Sequence, residues 1–331
     1  MIPDVSVIIV NFNTEDYLVE CIGSVFEQTG SRQVEIIVVD NASDVDPSAK
    51  ITAIYPHVRM IRNTMNRGFG AANNTGAAEA RGKFLFFLNP DTVLLNDSIG
   101  IFHRFMNSDN RTDRVVACGG NLVRSDKSPA PAWGNLPTLS LLFSDLGFRK
   151  LYKNYYESRL ATNGYCNSQE DRPVPYIAGA DLFIRKDIFL KLGGFSEQYF
   201  MYFEDADLGY RLKREGYKTY LLPEAKILHH ESLSTRNGNG FNYRKYELLE
   251  KSKYLYFKKN HGFIAAHVAK DLQLISLLVY AIAHRLANVQ LATSNPQPAT
   301  RNPHPVTRNP HPVTSNPQPA TRNLLKITLD A

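Results

Sequence analysis

The sequence predicts an α/β fold, a mostly parallel sheet flanked by helices, followed by a C-terminal helical extension and a disordered repeat tail. Three observations predict it. Short continuous apolar runs alternate with stretches of helical period, the mark of strands buried on both faces. Polar clusters stand at the ends of those runs, where an open parallel sheet binds its ligands. The composition then changes twice, giving expected boundaries at 1–240, 241–291 and 292–331.

The elements follow in order. Val5–Val10 reads as a buried strand. Thr14 is placed to cap a helix whose first turn carries Glu15 and Asp16 and whose buried stripe is Leu18, Ile22 and Val25. Val34–Val39 is a second buried strand ending at Asp40, and Val58–Ile61 a third. Phe69–Ala80 is a small-residue helix closed by Arg81-Gly82. Phe84–Leu88 is a fourth strand, ending in Asn89-Pro90-Asp91. Strand and helix in alternation argue for parallel pairing with helical crossovers.

Composition limits the function classes. In 331 residues, 43% hydrophobic and 21% charged, there is enough to bury a core and no case for wholesale disorder or a polytopic membrane protein. Of the net charge of +6, half comes from Arg301, Arg308 and Arg322 in a tail segment without acids, so no nucleic-acid partner is expected. Cys21, Cys118 and Cys166 are too few and too far apart for a disulfide framework or a zinc site, which suits a reducing, cytoplasmic compartment. Met1-Ile2-Pro3-Asp4 has no basic leader. No stretch reaches eighteen apolar residues, Leu272–Ala283 being the nearest. Residues 292–323 repeat a seven-residue unit, as in Val306-Thr-Arg-Asn-Pro-His-Pro312, and hold eight of the 18 prolines. Two prolines per unit forbid helix and ladder, so an extended, disordered tail with no part in activity is expected.

Four segments carry candidate chemistry. Asn11 and Asn13 follow the first strand, and Asp40 ends the second, where an acid can meet a base or ribose; the local alternative is an Asx-turn in Asp40-Asn-Ala-Ser-Asp44. Asn66-Arg-Gly68-Phe-Gly-Ala-Ala-Asn-Asn74 is a loop-to-helix junction of small residues that lets a backbone approach a ligand, although Ala71, Ala72 and Gly76 suit tight helix packing equally. Asn89-Pro-Asp91 can turn a carboxylate toward a divalent cation and a diphosphate; a turn through Thr92 is the alternative. Phe200–Leu212 opens a helix with Glu204, Asp205 and Asp207. Glu204 and Asp207 share a face and Asp205 points elsewhere, so the acids have different tasks. His229-His230 follow a strand-like segment, Lys218–Leu222, and Gly179-Ala180 could floor a pocket.

Taken together, Val5–Asn13, Val38–Ser43, Asn66–Asn74, Leu88–Thr92, Gly193-Gly-Phe195, Phe200–Leu208 and His229-His230, in this order and spacing, resemble the family-2 inverting glycosyltransferases, in particular the bacterial rhamnosyltransferase-like branch, over about residues 3–260. The resemblance implies a GT-A fold, a nucleotide-sugar donor and a Mg²⁺ or Mn²⁺ ion. By position it implies Asp40 at the nucleotide base, Asn11, Asn13, Asn66, Gly68, Asn74, Asn89 and Glu204 around the nucleotide sugar, Asp91 and His229 at the metal, and Asp205 as general base, with His230 the competing ligand. The first acid of the metal motif is asparagine here, one charge fewer, although an amide oxygen still ligates; an imidazole ligand favours Mn²⁺.

The implied reaction moves a sugar, rhamnose or similar, from dTDP-rhamnose, or from a UDP- or GDP-sugar, to a hydroxyl of a cell-surface glycan or lipid-linked acceptor. A metal-dependent nucleotidyltransferase needs a basic phosphate-activating loop, yet Asn11–Asp16 carries acids there; an inert nucleotide-sugar-binding module has no use for acids at 91, 205 and 207. Residues 264–287 either pack on the catalytic domain or lie peripherally on the inner face of the cytoplasmic membrane, near Lys258, Lys259, Lys270 and Arg285.

Overall fold

A computed structural model describes residues 3–29, 33–108, 114–145, 149, 152–156, 164–230, 242–293 and 321–331. In chain order the elements begin β1 (Val5–Asn11), α1 (Glu15–Thr29), β2 (Val34–Asp40), α2 (Ser48–Ile54), β3 (Arg59–Arg62), α3 (Phe69–Glu79), β4 (Phe84–Leu88), β5 (Thr92–Leu94) and α4 (Ser98–Met106). There follow β6 (Val115–Val123), β7 (Trp133–Gly134), α5 (Leu139–Asp145), α6 (Lys153–Tyr155), β8 (Arg172–Val174), β9 (Tyr176–Ile177), β10 (Asp181–Arg185) and α7 (Lys186–Lys191). The last are α8 (Glu204–Arg214), β11 (Lys218–His229), α9 (Tyr243–His261), α10 (Phe263–Thr293) and α11 (Thr321–Asp330).

The main sheet runs β3-β2-β1-β4-β10-β6-β11-β5, with β8 beside β11; β7 and β9 form a separate pair. The β3-β2-β1-β4 half is parallel throughout, and β10 enters antiparallel between β4 and β6. Every residue of β1 and β4 is buried, which is why both read as unbroken apolar runs. Stacked and edge-on rings of Phe84, Phe86, Phe102 and Phe183 fill one part of the core. The helix α3 lies so close to β1 that a Cβ on Gly76 would come within 2.5 Å of Ile8 Cγ2.

Four expectations are corrected. The third strand is Arg59–Arg62, not a buried strand: it pairs with β2 alone, at the sheet edge, and its outer positions carry the Arg59–Glu79 and Arg62–Asp46 ion pairs. Thr14 does not cap α1 with its hydroxyl, which donates to Asn11 Oδ1 at 2.7 Å. The strand beginning at Lys218 does not stop at Leu222. It bulges between Leu222 and Lys226 and continues to His229, pairing there with β5. The tail is not extended throughout: α10 runs to Thr293, and α11 occupies 321–330, its Thr328 hydroxyl 3.0 Å from the Tyr246 hydroxyl and Lys270 donating to Leu329 O at 2.7 Å. The rest of the repeat, 294–320, lies outside the described residues.

The helix α10 extends the apolar stretch noted at Leu272–Ala283, with Lys270 and Asp271 interrupting it. Phe263–Ile282 is long and apolar enough to cross a bilayer, with a mean hydropathy of 1.4 and only 17% of its 18-residue window buried. By length and composition alone this is weak evidence, since Ala266, Ala269 and Leu277 pack into the protein.

Candidate active site

The parallel register sets Asn11 opposite Asp40 at the carboxyl ends of β1 and β2, and both side chains are fully buried. Their polar atoms are used up within the protein. Asn11 Nδ2 donates to Asp40 Oδ1 at 2.9 Å and to Ser43 Oγ at 3.1 Å. The Ser43 hydroxyl donates to Asp40 Oδ1 at 2.6 Å and its N–H to Oδ2 at 3.2 Å, while Arg62 Nε stands 3.6 Å from Oδ2. Asn13, with φ 57°, exchanges side-chain and main-chain hydrogen bonds with Asp44 at 3.1 and 2.9 Å. Beside this network lies an open cleft of 430 Å³, lined by Asn13, Thr14, Tyr17, Ser43 and Asp44 among others.

The next predicted group is also committed to the protein. Asn41 Nδ2 donates to Asn66 Oδ1 at 2.9 Å, and Asn66 Oδ1 accepts the Gly68 N–H at 3.0 Å, so Asn66 shapes the loop. Gly68, at φ 84°, sits where a Cβ would lie 2.2 Å from Phe200 O, and the next N–H donates to that same oxygen at 2.9 Å. Its backbone therefore approaches the chain leading into α8. Asn74 donates to Phe195 O at 2.8 Å and accepts the Phe195 N–H at 2.9 Å, bracing the segment after the Gly193-Gly194 turn. Asn41, which stands with Asp40 in the polar cluster at the end of β2, and Ser43, to which the sequence assigns no role of its own, hold more of these bonds than Asn13 or Asn74 do.

At the end of β4 the picture changes. Pairing of β11 with β5 sets His229 against Thr92 and brings His229 Nε2 to 3.3 Å from Asp91 Oδ1. His230 contributes its N–H to Asp91 O at 2.9 Å, while its ring turns away to Tyr17, Ser125 Oγ at 3.0 Å and Glu20 Oε2 at 3.4 Å. The Glu20 contact is close enough for an ion pair yet not aligned as a hydrogen bond, since His230 Nε2 has no such partner. The imidazole facing the Asp91 carboxylate is therefore that of His229.

The acids of α8 have different surroundings, as expected, but not in the expected grouping: Asp207 stands apart, and Glu204 neighbours Asp205. Asp207 is fully buried, 2.8 Å from Arg211 Nε and 3.0 Å from Lys259 Nζ, and accepts from Asn260 at 3.1 Å. It fastens α9 to α8 and has no free oxygen for chemistry. Tyr202 and Phe203, at φ 70° and 67°, form a strained left-handed turn that delivers the next two residues to the helix start. Asp205 accepts the Gly179 N–H at 3.1 Å and the Ala206 N–H at 2.7 Å. Burial pushes its carboxyl above the usual range. Glu204 is pushed up by burial first and by the Asp205 charge second, and its Oε2 has no partner among the described residues.

A short turn joins the two acid clusters. The Asn89 N–H donates to Ala180 O at 3.0 Å, and the neighbouring Gly179 N–H is the donor to Asp205. Asn89 Oδ1 and His229 Nδ1, like Glu204 Oε2, are buried without a hydrogen-bond partner among the described residues. Among the described residues no group of three or more His, Cys, Asp or Glu side chains forms a metal cage. Asp91 and His229 supply two donors, a carboxylate oxygen and an imidazole nitrogen, which fit part of the sphere of a divalent ion such as Mn²⁺ or Mg²⁺ and leave the remainder to ligand oxygens.

Comparison with known proteins bears on the family and the fold. The family model described as "Glycosyl transferase family 2" matches residues 6–189. An N-acetylglucosaminyl-diphospho-decaprenol L-rhamnosyltransferase of Mycobacterium tuberculosis is 31% identical over 219 residues, 62% of this chain and 69% of that protein. Rhamnosyltransferase WbbL of Escherichia coli is 25% identical over 70% of this chain and 86% of its own. The mannosyltransferase PcManGT of Pyrobaculum calidifontis, solved with GDP-Man and Mn²⁺, superposes with a TM-score of 0.54 at 17% identity over 89% of this chain and 81% of that one. GalNAc-T7, solved with UDP, GalNAc and Mn²⁺, gives 0.54 at 18% identity over 78% of this chain, which spans about half (51%) of its length. Both share the GT-A fold, which is the fold of this chain.

Proposed function

The chain belongs to glycosyl transferase family 2, in its rhamnosyltransferase-like branch, and we propose on that premise that it inverts the anomeric centre as it moves rhamnose from dTDP-rhamnose to a hydroxyl of a lipid-linked glycan acceptor. Transfer of a sugar from a nucleotide-sugar donor is the activity of the family; the donor, acceptor, metal and residue roles are this proposal. The observation that carries it is the meeting of Asp91 with His229, tied through Asn89, Ala180 and Gly179 to Asp205.

In this reading the Asn11–Asp40–Ser43 network frames the nucleotide end, and Asp91 and His229 hold Mn²⁺ or Mg²⁺. The ion, when bound, supplies positive charge against the leaving diphosphate. Asp205 takes the proton of the attacking acceptor hydroxyl at a carboxylate oxygen. The Gly179 and Ala206 N–H groups keep that carboxylate oriented and favour its ionised form against the burial that raises it. Glu204, unpartnered and buried, is placed to accept a hydroxyl of the sugar. One base opposite the leaving group gives inversion.

A lipid-linked acceptor gives the exposed face of α10 a use. Ile264, Val268, Ile275, Leu278, Val279 and Ile282 are exposed by 39–80%, and residues 272–293 contain no acid. This face suits peripheral contact with the inner leaflet of the cytoplasmic membrane. Calorimetry of dTDP-rhamnose, UDP- and GDP-sugars with and without Mn²⁺ tests the donor: metal-dependent binding of dTDP-rhamnose alone is expected, and preference for another nucleotide overturns that assignment.

A further inference from the structure

The chain between β9 and β10 has a feature that catalysis as described leaves unused. Asp181 opens β10 and is fully buried, an acid ahead of the buried apolar residues Leu182, Phe183 and Ile184. It stands opposite Leu88, the last residue of β4, so it is one residue from the Asn89 turn. On its other side β10 pairs with β6 through Phe183 with Cys118 and Ile184 with Ala117, and the pairing then stops. Where the next rung would fall, the Asp181 side chain takes over: Oδ2 accepts the Gly120 N–H at 2.5 Å. Glycine is required opposite it, because a Cβ on Gly120 would lie 2.7 Å from Ala225 O and 3.3 Å from Asp181 Oδ2. The carboxyl therefore ends the ladder at the point where β6 and β10 part.

What it holds in place is the Ala178–Asp181 turn. Ala178 is bound by its N–H to Ala132 O at 3.0 Å, and the Asp181 N–H reaches back to Ala178 O at 3.5 Å. Between these anchors two peptide groups face opposite ways. The Gly179 N–H donates to Asp205 Oδ2, and Ala180 O accepts from Asn89. One turn thus fixes the separation between the acid of α8 and the Asn89–Asp91 turn. We propose that Asp181 is a positioning residue for sugar transfer, setting the Ala178–Asp181 turn and through it the placement of Asp205 relative to Asp91. The inference rests on Asp205 as the base, and deepens that reading.

Burial raises the Asp181 pKa against the Gly120 N–H that lowers it, and the side chain acts on the turn through that hydrogen bond. Its other oxygen, Oδ1, has no partner among the described residues. The groups that bear on the Asp205 carboxyl are Glu204 beside it, the Tyr176 hydroxyl, and the N–H donors of Gly179 and Ala206. Of these, the Gly179 donor lies on the turn held by Asp181. Losing that donor removes a bond to the ionised form, and the Asp205 pKa must then rise.

The test is carbon-13 NMR of the full chain labelled at aspartate, with the Asp205 resonance assigned by its loss in Asp205→Asn. Asp181→Ala should raise the apparent Asp205 pKa by about one unit and cut kcat by about 10-fold with the donor KM unchanged. Asp181→Asn keeps the acceptor for Gly120 and should restore both. If the cavity left by alanine unfolds the chain, Asp181→Leu fills it while still removing the acceptor, and the same upward shift is expected. An Asp205 titration that matches wild type in Asp181→Ala or Asp181→Leu overturns the proposal, as does Asp181→Asn behaving like alanine. The titration needs no substrate, so it is read independently of turnover by Asp205→Asn, which bears on the base assignment itself.

Discussion

The two ends of the sheet edge are built on opposite principles. At β1 and β2, Asn11, Asp40 and Ser43 are buried and satisfy one another, so that end is complete before any ligand arrives. At β4, α8 and β11, Asn89 Oδ1, Glu204 Oε2 and His229 Nδ1 are buried and unpartnered, and two adjacent carboxyls are raised by burial. A satisfied buried network is rigid and inexpensive to keep; an unsatisfied one costs stability and is retained where something is to be bound or moved. On the proposed function, the satisfied end frames the substrate and the unsatisfied end reacts with it.

The sharpest way to break that contrast is at Asp205. Asp205→Asn should lower turnover by roughly 1,000-fold or more while calorimetry still finds nucleotide binding; near-normal turnover would remove the reactive character of this end. Asp91→Ala comes next. It should weaken Mn²⁺-dependent binding of the nucleoside diphosphate by about 100-fold, leaving metal-independent binding as it was. At the satisfied end the same kind of change acts on the fold. Asp40→Ala strands the Asn11 amide and the Ser43 hydroxyl and N–H, so chemical denaturation should show a loss of about 2–3 kcal/mol.

A smaller effect runs the other way. The Glu204 pKa is raised in the folded chain, so above the ordinary carboxylate range the unfolded chain releases a proton that the folded one keeps, and stability falls as pH rises. Glu204→Gln removes that penalty. It should leave stability unchanged near pH 4 and raise it by about 1 kcal/mol near pH 7, as read by thermal melting across pH. Last, deleting residues 294–331 removes α11 from α9 and α10, which should lower the melting temperature by a few degrees at most and leave turnover within about twofold.

Much of this was legible in the sequence because of where the elements lie. β1, β2 and β4 are central and buried on both faces, so period and apolarity coincide and their ends mark the site. The third strand was legible to within one residue, but not its exposure at the sheet edge, where Arg59 and Arg62 are spent on Glu79 and Asp46. That the acids of Glu204-Asp205-Ala-Asp207 have different tasks followed from helical spacing, but their grouping did not: besides the local Arg211, Asp207 is held by Lys259 and Asn260 on α9, some fifty residues on, and no local pattern points to those two. Small and amide residues at a helix start suit either a ligand or a neighbouring loop, and only tertiary packing shows that Asn74 meets Phe195 and Gly68 meets Phe200. The helix at 321–330 was hidden by the prolines before it, which bar a helix only where they themselves stand.

The most direct measurement is anomalous diffraction from crystals of the full chain grown with Mn²⁺ and a nucleoside diphosphate. The account predicts one manganese peak bonded to Asp91 and His229, with the diphosphate on it and the Asp205 carboxylate facing the same cavity. A peak held by other residues, or a diphosphate bound on the far side of the sheet from Asp205, would contradict it.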